Sequence, residues 1–199
     1  RLLLLVAAAD PVGDPNLLWR AASELGIPVE AAAPAEAEDL LEIAARVGFR
    51  HPLLRSAIYR AASPTERRSA HRALAAATDA EIDPDRCAWH RAQASLGPDD
   101  DVAAELERSA GRAQARGGLA AAAAFLQRSV ALTQEPARRA DRALAAAQAS
   151  LQAGAFDAAL GLVAEAEAGP LDDLGRARVD RLHAEVAFAQ NRGGEAPLL

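Results

Sequence analysis

The chain of 199 residues carries 22 basic and 28 acidic side chains, for a net charge of −6 and a pI near 5.3. That balance argues against nonspecific nucleic-acid binding by the whole chain, while leaving room for a local basic site. One cysteine, Cys87, excludes an internal disulfide and any cysteine-cluster metal site.

The length suffices for one large domain or two small ones. Hydrophobic residues make up 51% and aromatics only 4%, with alanine supplying much of the apolar total. Such a composition favours closely packed helices over a sheet. Residues 1–10, RLLLLVAAAD, predict a short helix that is apolar on all sides. The run resembles the apolar part of a signal peptide. It is too short to span a membrane and Asp10-Pro11 stops it, so a buried helix is expected. With no methionine anywhere, the sequence reads as an internal fragment, and the cytoplasm is the expected location.

Asp14-Pro15 supplies an N-cap and a first-turn proline for a second helix to about Leu25. Its buried side would carry Leu17, Leu18, Ala21, Ala22 and Leu25. A short third helix is predicted over Pro34–Asp39. Leu40–Ile43 and Val47–Phe49 read as a small β-hairpin. Three helices, a hairpin and a further helix suggest a winged-helix-like unit over residues 1–62.

Ser63-Pro64 opens the next helix, to about Thr78, with Glu66 placed for a capping box. Asp79 to Pro84 is a connector, and another helix is predicted over about Asp85–Leu96, stopped by Gly97-Pro98. Residues 63–98 are thus expected to form connecting helices. From residue 99 to 199 the pattern is one of helical hairpins. Turns are predicted at Gly117-Gly118, Gly154-Ala155 and Gly193-Gly194. Leu119, Ala122, Leu126 and Ser129 stand at the same offsets from Gly117 as Phe156, Ala159, Val163 and Ala166 from Gly154. A turn glycine, small residues on the second helix and a later proline (Pro136, Pro170) resemble the tetratricopeptide repeat. The spacing is longer than the usual repeat of roughly 34 residues, and the tryptophan that opens such a repeat is missing. A solenoid of this kind buries its faces by stacking. The fold class expected is therefore mainly α: a small winged-helix-like unit followed by a truncated helical-hairpin solenoid.

No lysine occurs, so every basic residue is arginine and no P-loop can be present. A serine-hydrolase elbow and a His-Glu-x-x-His pair are also missing. No catalytic residue and no metal site is expected. His51, His71, His90 and His183 are too far apart in sequence for a local helical metal pair. His71 and His183 read as surface or half-buried positions, and Trp89-His90 as a packing anchor, with a ligand-facing role as the alternative. Asp99-Asp100-Asp101 suits the positive end of a helix dipole.

The stretch FRHPLLRSAIY, residues 49–59, stands apart. Leu53, Leu54, Ala57 and Ile58 fit one buried helix face. Arg50 and His51 precede it, where a strand gives way to a helix. They are either solvated punctuation or they point at an anion, such as a phosphate held by an adjacent domain.

Residues 49–59 and ASPTERRSAHRAL, residues 62–74, together resemble the large ATP-binding LuxR-type transcriptional regulators of high-GC bacteria. Asp85–His90 and Val102–Gly118 extend the resemblance over essentially the whole chain. It implies the last, winged-helix-like part of a STAND-type ATPase module, followed by the first helical repeats. The P-loop and the DNA-reading helix of that family lie elsewhere in such proteins. His-Pro-Leu-Leu-Arg also looks like the methionine-histidine-aspartate motif of related STAND proteins, whose histidine contacts the β-phosphate of ADP. The resemblance gives that role to His51, with Arg50 and Arg55 as weaker candidates. Arg50 stands where the motif has methionine, and Pro52 where it has aspartate.

The same resemblance implies a non-catalytic regulatory segment that couples nucleotide state to an effector or partner on the repeats. ATP or ADP with Mg would be held by an upstream ATPase domain of the same chain, not by these residues alone. A helical-repeat scaffold with no nucleotide linkage is the alternative, and a small-molecule enzyme a distant third. Direct DNA binding is not expected, because no basic recognition helix is present. No membrane partner is expected either.

Overall fold

The computed structural model describes residues 1–194, with side chains as far as Gln190. Among these, eleven helices accompany one two-stranded sheet, so the chain is mainly helical. It divides into two compact units, Arg1–Leu96 and a second that begins at Gly97.

The first unit runs α1 (Leu2–Ala9), α2 (Pro15–Glu24), a 3-10 turn (Val29–Ala32), α3 (Ala33–Ala37), β1 (Leu41–Ile43), β2 (Val47–Phe49), α4 (Pro52–Ala61), α5 (Pro64–Ala77) and α6 (Pro84–Ala94). As expected for a helix without a polar face, α1 is buried at Leu3 and from Leu5 to Ala9, with Leu2 and Leu4 half-buried. It packs with α2, α4 and α5 around Leu17, Leu18, Leu41 and Leu74. Residues 63–98, read as connecting helices, thus contribute α5 and α6 to this unit. Asp14 caps α2 through the backbone N–H groups of Asn16 and Leu17. Ser63 and Glu66 form the expected capping box on α5, and the Ser63 bonds hold the Glu66 carboxyl below its usual range.

The strands pair antiparallel with Leu41 opposite Phe49 and Ile43 opposite Val47. The loop before α2 meets this hairpin closely. Val47 N–H donates to Gly13 O at 2.8 Å. Arg46 donates to Val12 O through Nε and Nη2.

One expectation is overturned in α4. The helix has no fully buried residue; Leu53 is 81% exposed and Ala57 is exposed. Its inward side is Leu54, Arg55, Ile58 and Tyr59, all half-buried. The face is rotated by one residue from the predicted one. Arg55 Nε donates to Ala8 O at 2.9 Å, satisfying a carbonyl at the open end of α1, and Tyr59 bonds His71. Two polar anchors set the rotation that the leucines alone leave open.

The second unit runs α7 (Asp100–Ala115), α8 (Leu119–Ala131), α9 (Pro136–Gln152), α10 (Phe156–Glu167) and α11 (Asp173–Gly194). Each helix packs on the next, in the manner of helical hairpins. Gly117 and Gly154 turn the chain at φ +76° and +75°. Ala122, Leu126 and Ser129 are all buried, as are their matched partners Ala159, Val163 and Ala166. The first matched pair, Leu119 and Phe156, is not. Asp99 caps α7 by accepting from Val102 N–H. Arg142 is 5% exposed and ties α9 to α7 and to the turn before α9, donating to Asp100, Glu107 and Thr133. The predicted turn at Gly193-Gly194 is corrected: α11 continues through both glycines, and residues 195–199 lie outside the described residues. No described helix is long and apolar enough to cross a membrane.

Candidate functional site

The three residues singled out from sequence take different positions. Arg50 forms an ion pair with Asp39, on the turn before β1. His51 is the N-cap residue of α4, in extended backbone, and its exposed side chain makes no capping bond. Arg55, one turn further on, is turned toward the end of α1 by its bond to Ala8 O. The loop-to-helix break therefore presents His51 outward, while both arginines have local partners.

Arg55 opens into a cleft of about 450 Å³. Its walls are Ala8, Ala9 and Pro11 at the end of α1, Arg55, Ser56, Tyr59 and Arg60 of α4, His71 of α5, and Trp89 and Gln93 of α6. A neighbouring cleft of about 330 Å³ shares Pro11 and Arg55 and adds Asp10, Val47, Phe49 and Pro52. His51 lines neither.

Beneath the first cleft runs a chain of polar rings. Tyr59 Oη lies 2.8 Å from His71 Nε2, and His71 Nδ1 lies 2.9 Å from His90 Nδ1. His71 is 2% exposed and His90 is fully buried. The expectation of a surface or half-buried His71 is thus corrected: α5 turns it inward onto Tyr59 and His90. His90 fits its reading as a packing residue, and His183 is exposed, 3.6 Å from Glu167.

Burial, with a lesser push from the Arg86 charge, lowers the His90 pKa to about 4. A neutral His90 has one N–H to place. Its Nε2 has no hydrogen-bond partner, and an orphaned buried donor is rarer than an under-used acceptor. The proton therefore belongs on Nδ1, where it donates to His71. With His71 neutral, its own proton is then on Nε2, facing Tyr59 Oη. Arg67 lies over the Tyr59 ring at 5.5 Å, so the phenol is held from two sides.

Arg86 organises the far side of α6, with Asp83 at 3.1 Å, Asp14 at 3.8 Å and Asp10 at 4.0 Å. Asp10 is buried and accepts from the backbone N–H groups of Val12, Gly13 and Asp14. Among the described residues, no group of three or more histidine, cysteine or carboxylate side chains is placed to hold a metal ion.

The sequence singles out neither Tyr59 nor Arg60 as a site residue, and gives Trp89 a ligand-facing role only as the alternative to packing. A signal was present in composition: this chain has one tyrosine and two tryptophans, and two of these three line one cleft. Comparison with protein-family models, with curated proteins and with solved structures finds no match to the chain.

Proposed function

We propose that the chain is a non-catalytic regulatory segment of an ATP-dependent LuxR-type transcriptional regulator. In this reading the first unit is winged-helix-like and closes a STAND-type ATPase module. The second is the start of a tetratricopeptide-like solenoid that receives an effector or partner protein. ATP or ADP with Mg is held by the ATPase module. His51 reaches its phosphate, and the nucleotide state biases a two-state arrangement that the solenoid reads. Arg50 and Arg55 are weaker contacts: Asp39 engages Arg50, and Arg55 is turned by its bond to Ala8 O toward a cleft that His51 does not line. The cytoplasm is the fitting compartment for such a regulator.

The observation that carries the reading is the position of His51. It is an exposed imidazole at the N-cap of a ten-residue helix, where the helix dipole also favours an anion. The element order of three helices, a hairpin and a helix supports it as well. The repeated burial pattern of α8 and α10 suits the alternative, a helical-repeat scaffold with no nucleotide linkage.

One experiment separates the two. His51→Ala is placed in a longer protein carrying the ATPase module, and ADP affinity is measured. A loss of roughly tenfold is expected for one charge-assisted contact. Unchanged affinity sinks the phosphate role and leaves the scaffold reading.

A further inference from the structure

We propose that the cleft between the end of α1, α4 and α6 binds a small phosphate monoester carrying a planar ring. Arg55 and Arg60 would hold the phosphate, and Tyr59 and Trp89 would flank the ring. The proposal stands apart from the role given to His51, which does not line this cleft.

Charge points to an anion. Two guanidinium groups line the cleft and no carboxylate does. Elsewhere in the chain, Arg86, Arg142, Arg176 and Arg181 each have an acidic partner, whereas Arg20, Arg46 and Arg68 bond neutral oxygens and have none among the described residues. Arg60 meets none among the described residues. Arg55 donates Nε to a backbone carbonyl, which orients its guanidinium, and it forms no ion pair among the described residues, although Asp10 lines the neighbouring cleft that Arg55 also lines. Two such cations match the charge of a phosphate monoester, roughly −2 near neutral pH. A single carboxylate would neutralise only one of them.

The remaining lining points to a ring. Ala8, Ala9 and Pro11 form an apolar wall, and the Trp89 indole and Tyr59 phenol add aromatic surface. The Tyr59 ring is set in place before any ligand arrives, by His71 on one side and Arg67 on another. Preorganisation of this kind reduces what binding must spend on ordering. The volume of about 450 Å³ lies within the range of small-ligand sites.

The test is calorimetric titration of the full chain with phenyl phosphate, inorganic phosphate, benzoate and benzyl alcohol. Phenyl phosphate is expected to bind saturably at one site, with the other three at least roughly tenfold weaker. Arg60→Gln should weaken phenyl phosphate roughly tenfold, with an unchanged circular dichroism spectrum because the side chain is exposed. Arg138→Gln, at an exposed arginine of α9 outside the cleft, should bind as the parent does. Absence of saturable binding at millimolar ligand, or parent-like binding by Arg60→Gln, overturns the site. Benzoate binding as tightly as phenyl phosphate overturns the phosphate assignment. Equal weakening in Arg138→Gln makes the effect one of general charge and overturns the site too.

Discussion

His90 lies in the first unit with one imidazole nitrogen against His71 and the other without a hydrogen bond. Charging it inside this apolar packing is costly, and its pKa falls from 6.5 to about 4. Between these two values the unfolded chain binds a proton that the folded chain does not, so stability rises with pH. The contribution is complete above about pH 6.5 and is lost as pH falls toward 4, on the order of 3 kcal/mol in all. Urea unfolding at pH 7, 5.5 and 4.5 should show the midpoint falling with acid. In His90→Asn, which keeps a polar partner for His71, the fall should be smaller; an unchanged slope would assign the acid sensitivity to other groups. The packing role of His90 was legible in its place beside Trp89 on a helix. That of His71 was not, because its partners Tyr59 and His90 sit on two other helices.

Helix ends and turns were the most legible elements. Asp14 and the Ser63–Glu66 pair cap the helices they were expected to cap, because a cap depends on residues within one turn, and Asp99, read only as suiting a helix dipole, caps α7. Glycine turns show where local reasoning stops. Gly154 has φ +75° and open space where a Cβ would stand. Gly13 has φ +69°, and a Cβ there would lie 2.5 Å from Val47 O. Gly154→Ala should therefore cost only the left-handed strain, about 1–2 kcal/mol. Gly13→Ala adds a backbone clash at the hairpin and should cost about 2–4 kcal/mol, by urea or thermal unfolding. Equal losses would mean that the loop before α2 yields freely to β2. The rotation of α4 belongs here too. Its apolar residues allow either of two adjacent faces, and the bonds of Arg55 and Tyr59 select one.

The whole chain is two units with separate buried clusters. Leu74 is fully buried in the first, within the helix that packs on α1, α2 and α6. Leu74→Ala should cost about 2–5 kcal/mol through lost burial and a residual cavity. Hydrogen exchange should show weakened protection of amides across residues 1–96; protection unchanged beyond α5 itself would deny that this unit is one cooperative body.

Helical class, most helix boundaries, the hairpin and two of three glycine turns come from local physics: alanine content, capping residues, apolar period and turn chemistry. Gly193-Gly194 failed as a turn because tolerance for a turn is not a requirement for one, and α11 carries both glycines. The cleft could not be read in the same way. Arg55, Arg60, Tyr59, His71 and Trp89 come from three helices and are spread over 35 residues of sequence, from 55 to 89. Their meeting depends on helix rotation and packing, which no pattern within one helix encodes.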